Sequence, residues 1–346
     1  MAPLVEVGLA GVGPAWIHRC PACGFRQVRP RLGAGALAAI YAADYFDPAS
    51  PHGFAGYARQ RQRYEREAYF LARELHAMRE KGRLLEVGSA LGFLLDALTR
   101  LTPWGVEGVE VSAFGAWYAR SRFGVTVHHG TLEGARFPSG TFDYVLQKDL
   151  LEHVIHPRRH LEETRRIMRH GGRLRVITPN GDADVLPAER AAAGAGPGEL
   201  PVLGQGHLSF FSRPQLLRML DDVGFRVLRF RSIGMRRGVR ALGLLPGWRG
   251  RTPLAPREAL AAPPAGGATV STVTGADTDG ERDDGGWSDA ANEHHAARID
   301  AEIGRTYRRI RSWRPYYHYR RVVKRVDSLH AALTAGQDFD LLLERR

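Results

Sequence analysis

The clearest pattern in the chain is an alternation of short apolar runs with amphipathic segments between residues 81 and 235. The runs are short enough for strands, and the segments between them carry apolar residues at helical spacing. The predicted strands are Arg83–Val87, Gly105–Val111, Val125–His129, Phe142–Gln147, Arg173–Thr178 and Arg226–Arg231. The predicted helices are Gly92–Thr99, Ala113–Phe123, Pro157–Arg169 and Ser212–Val223. Strands that alternate with helices in this way predict an α/β domain with a parallel sheet.

The composition indicates a globular chain with a strongly basic charge balance. Apolar residues make up 44% of the 346 positions, and no run reaches the roughly 20 apolar residues that a membrane-spanning helix needs. The N-terminus lacks the basic start and cleavage site of a signal peptide, so we expect a cytoplasmic protein. Arginine supplies nearly all the positive charge behind the net value of +12. Because an arginine bias with abundant Ala and Gly is typical of GC-rich coding sequence, the charge does not by itself indicate a nucleic-acid partner.

A turn of small residues follows the first predicted strand of this domain. The strand carries Glu86 near its end and leads into Gly88-Ser89-Ala90-Leu91-Gly92 and a helix, so the backbone can turn tightly and approach a ligand. Enzymes that use NAD and enzymes that use S-adenosylmethionine (SAM) both have such turns. A dinucleotide site needs Gly or Ala where Phe93 stands, and Glu86 would repel a pyrophosphate but attract the sulfonium and ammonium groups of SAM. These two residues favour SAM.

A second acidic residue, Glu110, ends the next predicted strand within Gly108-Val109-Glu110-Val111-Ser112. A carboxylate at this place can accept hydrogen bonds from both hydroxyls of a ribose. The alternative is an ordinary solvated residue at a strand end.

Residues from about 82 to 235 resemble the class I SAM-dependent methyltransferases, motif by motif. The matching segments are the acidic strand with its turn, Gly108–Ser112, His129–Glu133, Phe142–Val154, Gly171-Gly172 and Thr178–Asn180. One departure is Ala90, where the family usually has glycine. The resemblance implies a Rossmann-like, doubly wound α/β sheet of seven strands, mostly parallel with an antiparallel seventh strand, plus helical additions at both ends. It also implies that the apolar segment Gly336–Glu344 returns to the sheet centre as that seventh strand.

The same resemblance implies SAM as the cofactor and a set of residues that bind it. Thr131 and Leu132 would lie along the adenine, in the loop after the third strand. The full predicted set is Glu86, Gly88, Ser89, Ala90, Gly92, Glu110, Val111, Thr131, Leu132 and Gln147.

The resemblance and the composition together divide the chain into six parts. These are a zinc-ribbon-like segment (1–35), a helical lead-in or lid (36–80), the SAM-binding core (81–240), a flexible loop (241–293), a basic helical insertion (294–335) and the returning strand (336–346).

The N-terminal segment carries a single Cys-x-x-Cys pair, Cys20 and Cys23, with His18 nearby. It resembles the zinc-ribbon-like N-terminus of some bacterial small-molecule methyltransferases, which has two such pairs. Because a structural zinc ion needs four ligands, we interpret the pair as a remnant with free thiols, against the alternative of a zinc site. By the same resemblance the segment around Tyr41 and Tyr45 covers the SAM and acceptor pocket; the alternative is ordinary helix packing.

Histidines supply the candidate catalytic groups. Methyl transfer is an in-line displacement that needs alignment, and a hydroxyl nucleophile also benefits from a general base, for which histidine is well suited near neutral pH. His153 and His207 are the predicted catalytic residues, with His156 close to the first of them. The alternative for each is a histidine that only caps or packs.

The segment 305–325 contains nine basic residues and no acidic ones, interleaved with aromatic residues. Such a sequence suits an anionic membrane surface, stacking on nucleic acid, or a helix that packs through its aromatic residues. We expect an enzyme that methylates a small-molecule acceptor: a sugar, a lipid-linked compound or a secondary metabolite, at oxygen or carbon. An RNA methyltransferase and a non-catalytic SAM-binding scaffold are the alternatives.

Overall fold

The computed structural model describes residues 2–9, 13–33, 40–41, 43–49, 54, 56–185, 194, 202–203, 206–233, 289–310 and 338–346. Its strands are β1 (Ala2–Leu9), β2 (Gly13–Arg19), β3 (Arg26–Arg29), β4 (Arg83–Val87), β5 (Gly105–Glu110), β6 (Thr126–His129), β7 (Phe142–Lys148), β8 (Met168–Pro179), β9 (Val202–Leu203), β10 (Ser209–Phe210), β11 (Phe225–Ile233) and β12 (Asp338–Arg345). Its main helices are α1 (Arg61–Met78), α2 (Phe93–Leu101), α3 (Ala113–Phe123), α4 (Pro157–Ile167), α5 (Arg213–Val223) and α6 (Asp289–Ile310). Short 3-10 helices lie at Ala43–Phe46, Tyr57–Gln60 and Leu151–His153.

Seven strands form the main sheet, in the order β11-β12-β8-β7-β4-β5-β6. Strands β8, β7, β4, β5 and β6 pair in parallel, whereas β12 pairs antiparallel with both β8 and β11. The predicted fold class is therefore confirmed, including the return of the C-terminal segment to the sheet as an antiparallel strand.

Alternate residues of the central strands face two separate hydrophobic cores. Leu84 and Tyr144 belong to the core under α1, α2, α3 and α6, whereas Leu85 and Val145 belong to the core under α4 and α5. All four side chains are 0% exposed. A strand buried on both faces has few polar residues, which explains why the sequence predicted these strands closely.

Within the lead-in predicted as helical over 36–80, the structure describes a regular α-helix from Arg61 to Met78. Before it, the described residues include the helical Ile40 and two short 3-10 helices, Ala43–Phe46 and Tyr57–Gln60. Pro48 follows the first of these turns closely, and proline interrupts the hydrogen bonds of an α-helix.

The sequence analysis did not predict a second sheet, which the N-terminal segment forms. Strands β1, β2 and β3 make an antiparallel meander, with β9 added beside β1 and β10 beside β3. Gly and Arg interrupt the apolar alternation in this segment, so its period-2 pattern is weak. The meander joins the main domain through β10, which begins two residues after His207.

Helix α6 packs on the main domain, with Ala296 and Ile299 fully buried in the first core. Residues 234–288 and 311–337 lie outside the described residues, and with them residues 241–288 of the predicted flexible loop and most of the basic segment 305–325. The last five residues of the predicted loop, 289–293, instead form the first turn of α6, where Asp289 suits a helix N-terminus. Within the described part of the chain, no helix is long and apolar enough to cross a membrane.

Candidate cofactor and acceptor site

The candidate site lies where β4, β5 and β7 end at their carboxyl edge. Strand β4 has β5 on one side and β7 on the other, so the strand order reverses at β4. Open α/β sheets bind their ligands at such a switch point, beyond the carboxyl ends of the strands. In the turn after β4, the backbone of Gly88, Ala90 and Gly92 adopts positive φ angles of 77°, 50° and 74°. A Cβ on Gly88 would come within 3.2 Å of Leu150, so the turn lies against the loop after β7.

Glu86 is a buried carboxyl at this turn, with 4% of the residue exposed. Among the described residues, its Oε2 atom has no hydrogen-bond partner. Burial raises the pKa of Glu86 to about 8, although the positive charge of Lys148 opposes that rise. A cationic ligand group beside Glu86 would satisfy the orphaned oxygen, which fits the sulfonium and ammonium groups of SAM.

Glu110 ends β5 and is also buried, with 5% of the residue exposed. Its Oε2 accepts a hydrogen bond from the Ala90 amide at 2.7 Å, and its Oε1 accepts one from the Ser112 amide at 2.8 Å. A carboxylate oxygen has two lone pairs, so each oxygen can still accept a ribose hydroxyl. This geometry excludes the alternative of an ordinary solvated strand end for Glu110.

The remaining predicted cofactor residues fall into different environments. Val111 is half-buried, Thr131 is exposed and Leu132 is 1% exposed within the second core. Gln147 is fully buried, and its Nε2 donates to Thr164 Oγ1 at 2.7 Å, so its amide is partly engaged beneath α4. The contact of these residues with SAM stays a prediction.

Two tyrosines from the lead-in, Tyr41 and Tyr45, are sensitive to the charge of the site residue Glu110. The Tyr41 and Tyr45 rings are 5.0 Å apart. Burial raises the pKa of Tyr41 well above its usual range, and the neighbouring Tyr45, Glu110 and Glu152 raise it further. Tyr41 is therefore close enough to both Glu110 and Glu152 for their charges to act on it, and the covering role of this segment stays a prediction.

The two predicted catalytic histidines come together although 53 positions separate them, and their rings meet edge to face with centroids 4.9 Å apart. His153 Nδ1 lies 3.2 Å from the Gly206 carbonyl oxygen, and His207 Nδ1 lies 2.6 Å from Asp184 Oδ2. Because these oxygens only accept hydrogen bonds, both Nδ1 atoms donate, and a bound group would meet the Nε2 atom of each ring. The sequence analysis missed Glu152 and Asp184, which complete this group. His156 is exposed, at the start of α4 and outside the group.

The pKa values of His153, His207 and Glu152 are all shifted from their usual ranges. Burial lowers the pKa of His153 to about 3, and the charge of His207 contributes to the shift. For His207, burial also disfavours the charged form, but the hydrogen bond and charge of Asp184 outweigh it and raise the pKa. Burial raises the pKa of Glu152, which is 1% exposed.

The N-terminal cysteines lie in the turn between β2 and β3. Cys20 is half-buried and Cys23 is exposed, and both are free thiols. Backbone hydrogen bonds from Cys23 and Ala22 lower the pKa of Cys20. Over the described ranges, the only group of three side chains that could hold a metal ion lies elsewhere and contains neither cysteine.

Comparison with known proteins gives one family match. A family model described as a methyltransferase domain matches residues 57–229. Among curated proteins, the chain is similar to the chloroplastic 2-methyl-6-phytyl-1,4-hydroquinone methyltransferase 2 of Oryza sativa subsp. japonica, with 27% identity over 173 residues. That match covers 48% of this chain and 46% of the relative, so the chain spans less than half the relative's length.

Two solved structures with similar folds are also methyltransferases. One is a SAM-dependent methyltransferase from Thermotoga maritima, with 25% identity, 52% of this chain and 84% of that chain covered, and a TM-score of 0.36. The other is geranyl diphosphate methyltransferase in complex with GPP and sinefungin, with 19% identity, 48% and 62% coverage, and a TM-score of 0.39.

Proposed function

Because the chain belongs to the class I SAM-dependent methyltransferase family, we propose that it transfers a methyl group from SAM to a small molecule that carries a hydroxyl group. The observation that carries this proposal is the position of the Glu86 turn beside the loop that bears His153. At the turn, the Glu86 carboxyl has an oxygen without a partner among the described residues, which suits a cationic cofactor. In the loop after β7, His153 uses its Nδ1 on the Gly206 carbonyl and leaves its Nε2 for the acceptor.

The cofactor would be held by residues at the ends of β4 and β5. Glu86 would face its positive charges, Glu110 would accept its ribose hydroxyls, and the positive-φ turn from Gly88 to Gly92 would let its backbone approach closely. When bound, SAM supplies an electrophilic methyl group on a positively charged sulfur.

The acceptor would be held on the other side of the site by His153 and His207. His153 Nε2 would accept a hydrogen bond from an acceptor hydroxyl, because its Nδ1 proton is directed to the Gly206 carbonyl. Since burial lowers the pKa of His153 to about 3, the imidazole would take the hydroxyl proton only as the methyl group is transferred. His207, held by Asp184, would orient the acceptor. Loss of the hydroxyl proton makes the oxygen nucleophilic, and in a phenol it also activates the neighbouring ring carbons, so both O- and C-methylation remain open.

A hydroxylated aromatic acceptor is consistent with the name of the rice relative, which acts on a hydroquinone. Tyr41, close to both Glu110 and Glu152, offers an aromatic surface against which such a ring would pack. The basic segment 305–325 is proposed to contact an anionic membrane surface, which would suit a lipid-linked acceptor. An RNA acceptor and a non-catalytic scaffold stay as alternatives.

The experiment that tests the proposal supplies methyl-labelled SAM together with either small-molecule or RNA extracts. We expect label in the small-molecule fraction, and about 10–100-fold less of it when Glu86→Gln replaces the wild type at SAM concentrations well below saturation. Label in RNA would support the nucleic-acid alternative. SAM binding by calorimetry without transfer to either pool would support the scaffold.

A further inference from the structure

Glu152, His153 and His207 form a compact group of three metal-ligating side chains. One potential ligand atom from each lies within 4.8 Å of the other two. His153 Nε2 is 3.7 Å from Glu152 Oε1, which is too far for a hydrogen bond. Two ligands that each lie about 2.0–2.2 Å from one ion are separated by about 3–4 Å, so this spacing suits an ion held between them.

The Glu152 carboxylate has one satisfied and one unsatisfied oxygen. Its Oε2 accepts a hydrogen bond from Thr178 Oγ1 at 2.9 Å. Its Oε1 is buried and, among the described residues, has no hydrogen-bond partner. A buried carboxylate oxygen without a donor is costly, and coordination of a cation would remove that cost.

Each of the three side chains is oriented by a second group that leaves its coordinating atom free. Asp184 accepts from His207, the Gly206 carbonyl accepts from His153, and Thr178 donates to Glu152. A carboxylate or carbonyl behind each imidazole is the usual support of metal-binding histidines, since it fixes the tautomer and the ring orientation. The Leu208 amide also donates to the Glu152 carbonyl at 2.7 Å, which ties the two segments together.

We infer that Glu152, His153 and His207 bind one divalent transition-metal ion, with Zn²⁺ as the expected occupant and at least one coordination position open to the acceptor. Two imidazole nitrogens and one carboxylate oxygen suit Zn²⁺ and neighbouring first-row ions, and a site with three protein ligands keeps an open position. The three ligands come from two loops, after β7 and before β10, that meet only in the folded chain.

The role of the ion rests on the proposed function. An acceptor hydroxyl that coordinates a divalent cation loses its proton to solvent more readily, as zinc-bound water does. The resulting oxyanion is the nucleophile: a C–O bond forms, the carbon–sulfur bond breaks, and its electron pair stays on sulfur. His153 would then act as a ligand, and the ion would replace direct proton transfer to its imidazole.

The test is a titration of the full-length, chelator-treated protein with Co²⁺, followed by visible absorption, with metal content measured in parallel on untreated protein. We expect one equivalent of Co²⁺ per chain, with an absorption band that Zn²⁺ displaces. Glu152→Gln and His207→Ala should abolish the band. Asp184→Asn, which alters only the support of His207, should weaken Co²⁺ binding by about 10–100-fold.

Two control variants distinguish Co²⁺ binding at this site from binding by other histidines or by the cysteines. His156→Ala removes a nearby histidine outside the group, and the double variant Cys20→Ser with Cys23→Ser removes the thiols; both should keep the band. SAM affinity measured on every variant shows that it is folded. Absence of the band from the wild type, or its loss only in the cysteine variant, would overturn the inference. Full turnover of metal-free protein would overturn the catalytic role of the ion but leave the proposed methyl transfer standing.

Discussion

At the residue scale, the candidate site is built from buried carboxyl groups whose hydrogen-bonding capacity the protein leaves partly open. Glu86 and Glu152 each have one buried oxygen without a partner among the described residues, and Glu110 uses one lone pair of each oxygen on backbone amides. Sequence reasoning found Glu86 and Glu110 because both end strands of a known pattern. It missed Glu152, because a Glu-His pair in sequence does not show that the fold buries the carboxyl group.

The pH dependence of SAM binding should report on Glu86. Its pKa of about 8 in the free chain means that the carboxyl is mostly protonated at pH 7, whereas a bound cation favours the carboxylate. SAM binding should therefore release a proton at pH 7, and affinity should rise with pH up to about 8. Glu86→Gln should bind SAM about 10–100-fold more weakly and lose the proton release that Glu86 contributes. Calorimetry in buffers of different ionisation enthalpy measures both; equal proton release in the two proteins would contradict the assignment.

Ala90 is strained where the family usually has glycine. Its φ of 50° is one that an L-residue adopts at a cost of about 1–2 kcal/mol, part of which the lower entropy of unfolded alanine offsets. Ala90→Gly should therefore raise the free energy of unfolding by about 0.5–1 kcal/mol, measured by denaturant titration. A matched Ala97→Gly variant, within α2, should lower it by a similar amount. Destabilisation by Ala90→Gly would show that the turn is not strained.

At the element scale, strands buried on both faces could be predicted from sequence and the supporting N-terminal sheet could not. The bounds of β4 and α3 match the prediction, whereas β8 begins five residues earlier than predicted, at Met168. Predictions fail at such ends because terminal residues pair with neighbours that only the tertiary structure supplies. The meander of β1 to β3 depends on pairing with β9 and β10, and no local pattern encodes that partnership.

The C-terminal strand should be essential to the fold. Strand β12 pairs on both sides, and Phe339, Leu341 and Leu343 are fully buried in the second core. Deletion of residues 337–346 should abolish soluble expression, and Leu341→Ala should cost about 2–5 kcal/mol of unfolding free energy. Glu344→Ala on the same strand breaks only an ion pair with the exposed Arg226 and should cost less than about 1 kcal/mol. A soluble, folded protein after the deletion would contradict this prediction.

At the scale of the whole molecule, the N-terminal sheet holds the acceptor side of the site in place. The Val28 amide donates to the Leu208 carbonyl at 2.9 Å, one residue after His207, and the Leu208 amide in turn reaches Glu152. The grouping of Asp184, His207 and Glu152 thus depends on three distant segments. It could not be predicted from sequence, because only the fold brings these segments together.

This support can be removed without touching the site. Val28→Pro deletes the amide donor and should lower turnover at least about tenfold while SAM affinity stays within about twofold, since the cofactor residues lie on other strands. Val28→Ala keeps the donor and should keep most of the turnover. Equal loss of SAM binding and turnover in the proline variant would instead indicate general unfolding, and unchanged turnover would contradict the supporting role.

The most direct test of the proposed site measures turnover and SAM affinity of His153→Ala beside wild type and His156→Ala. His153 lies in the group proposed to bind the acceptor, either by taking its proton or by holding an ion, and His156 lies outside that group. Loss of a general base or an equivalent group costs about 10²–10⁴-fold in rate. We predict a loss of that size in His153→Ala, with SAM affinity within about twofold of wild type and His156→Ala fully active. Wild-type turnover by His153→Ala, in a protein that still binds SAM, would contradict the account.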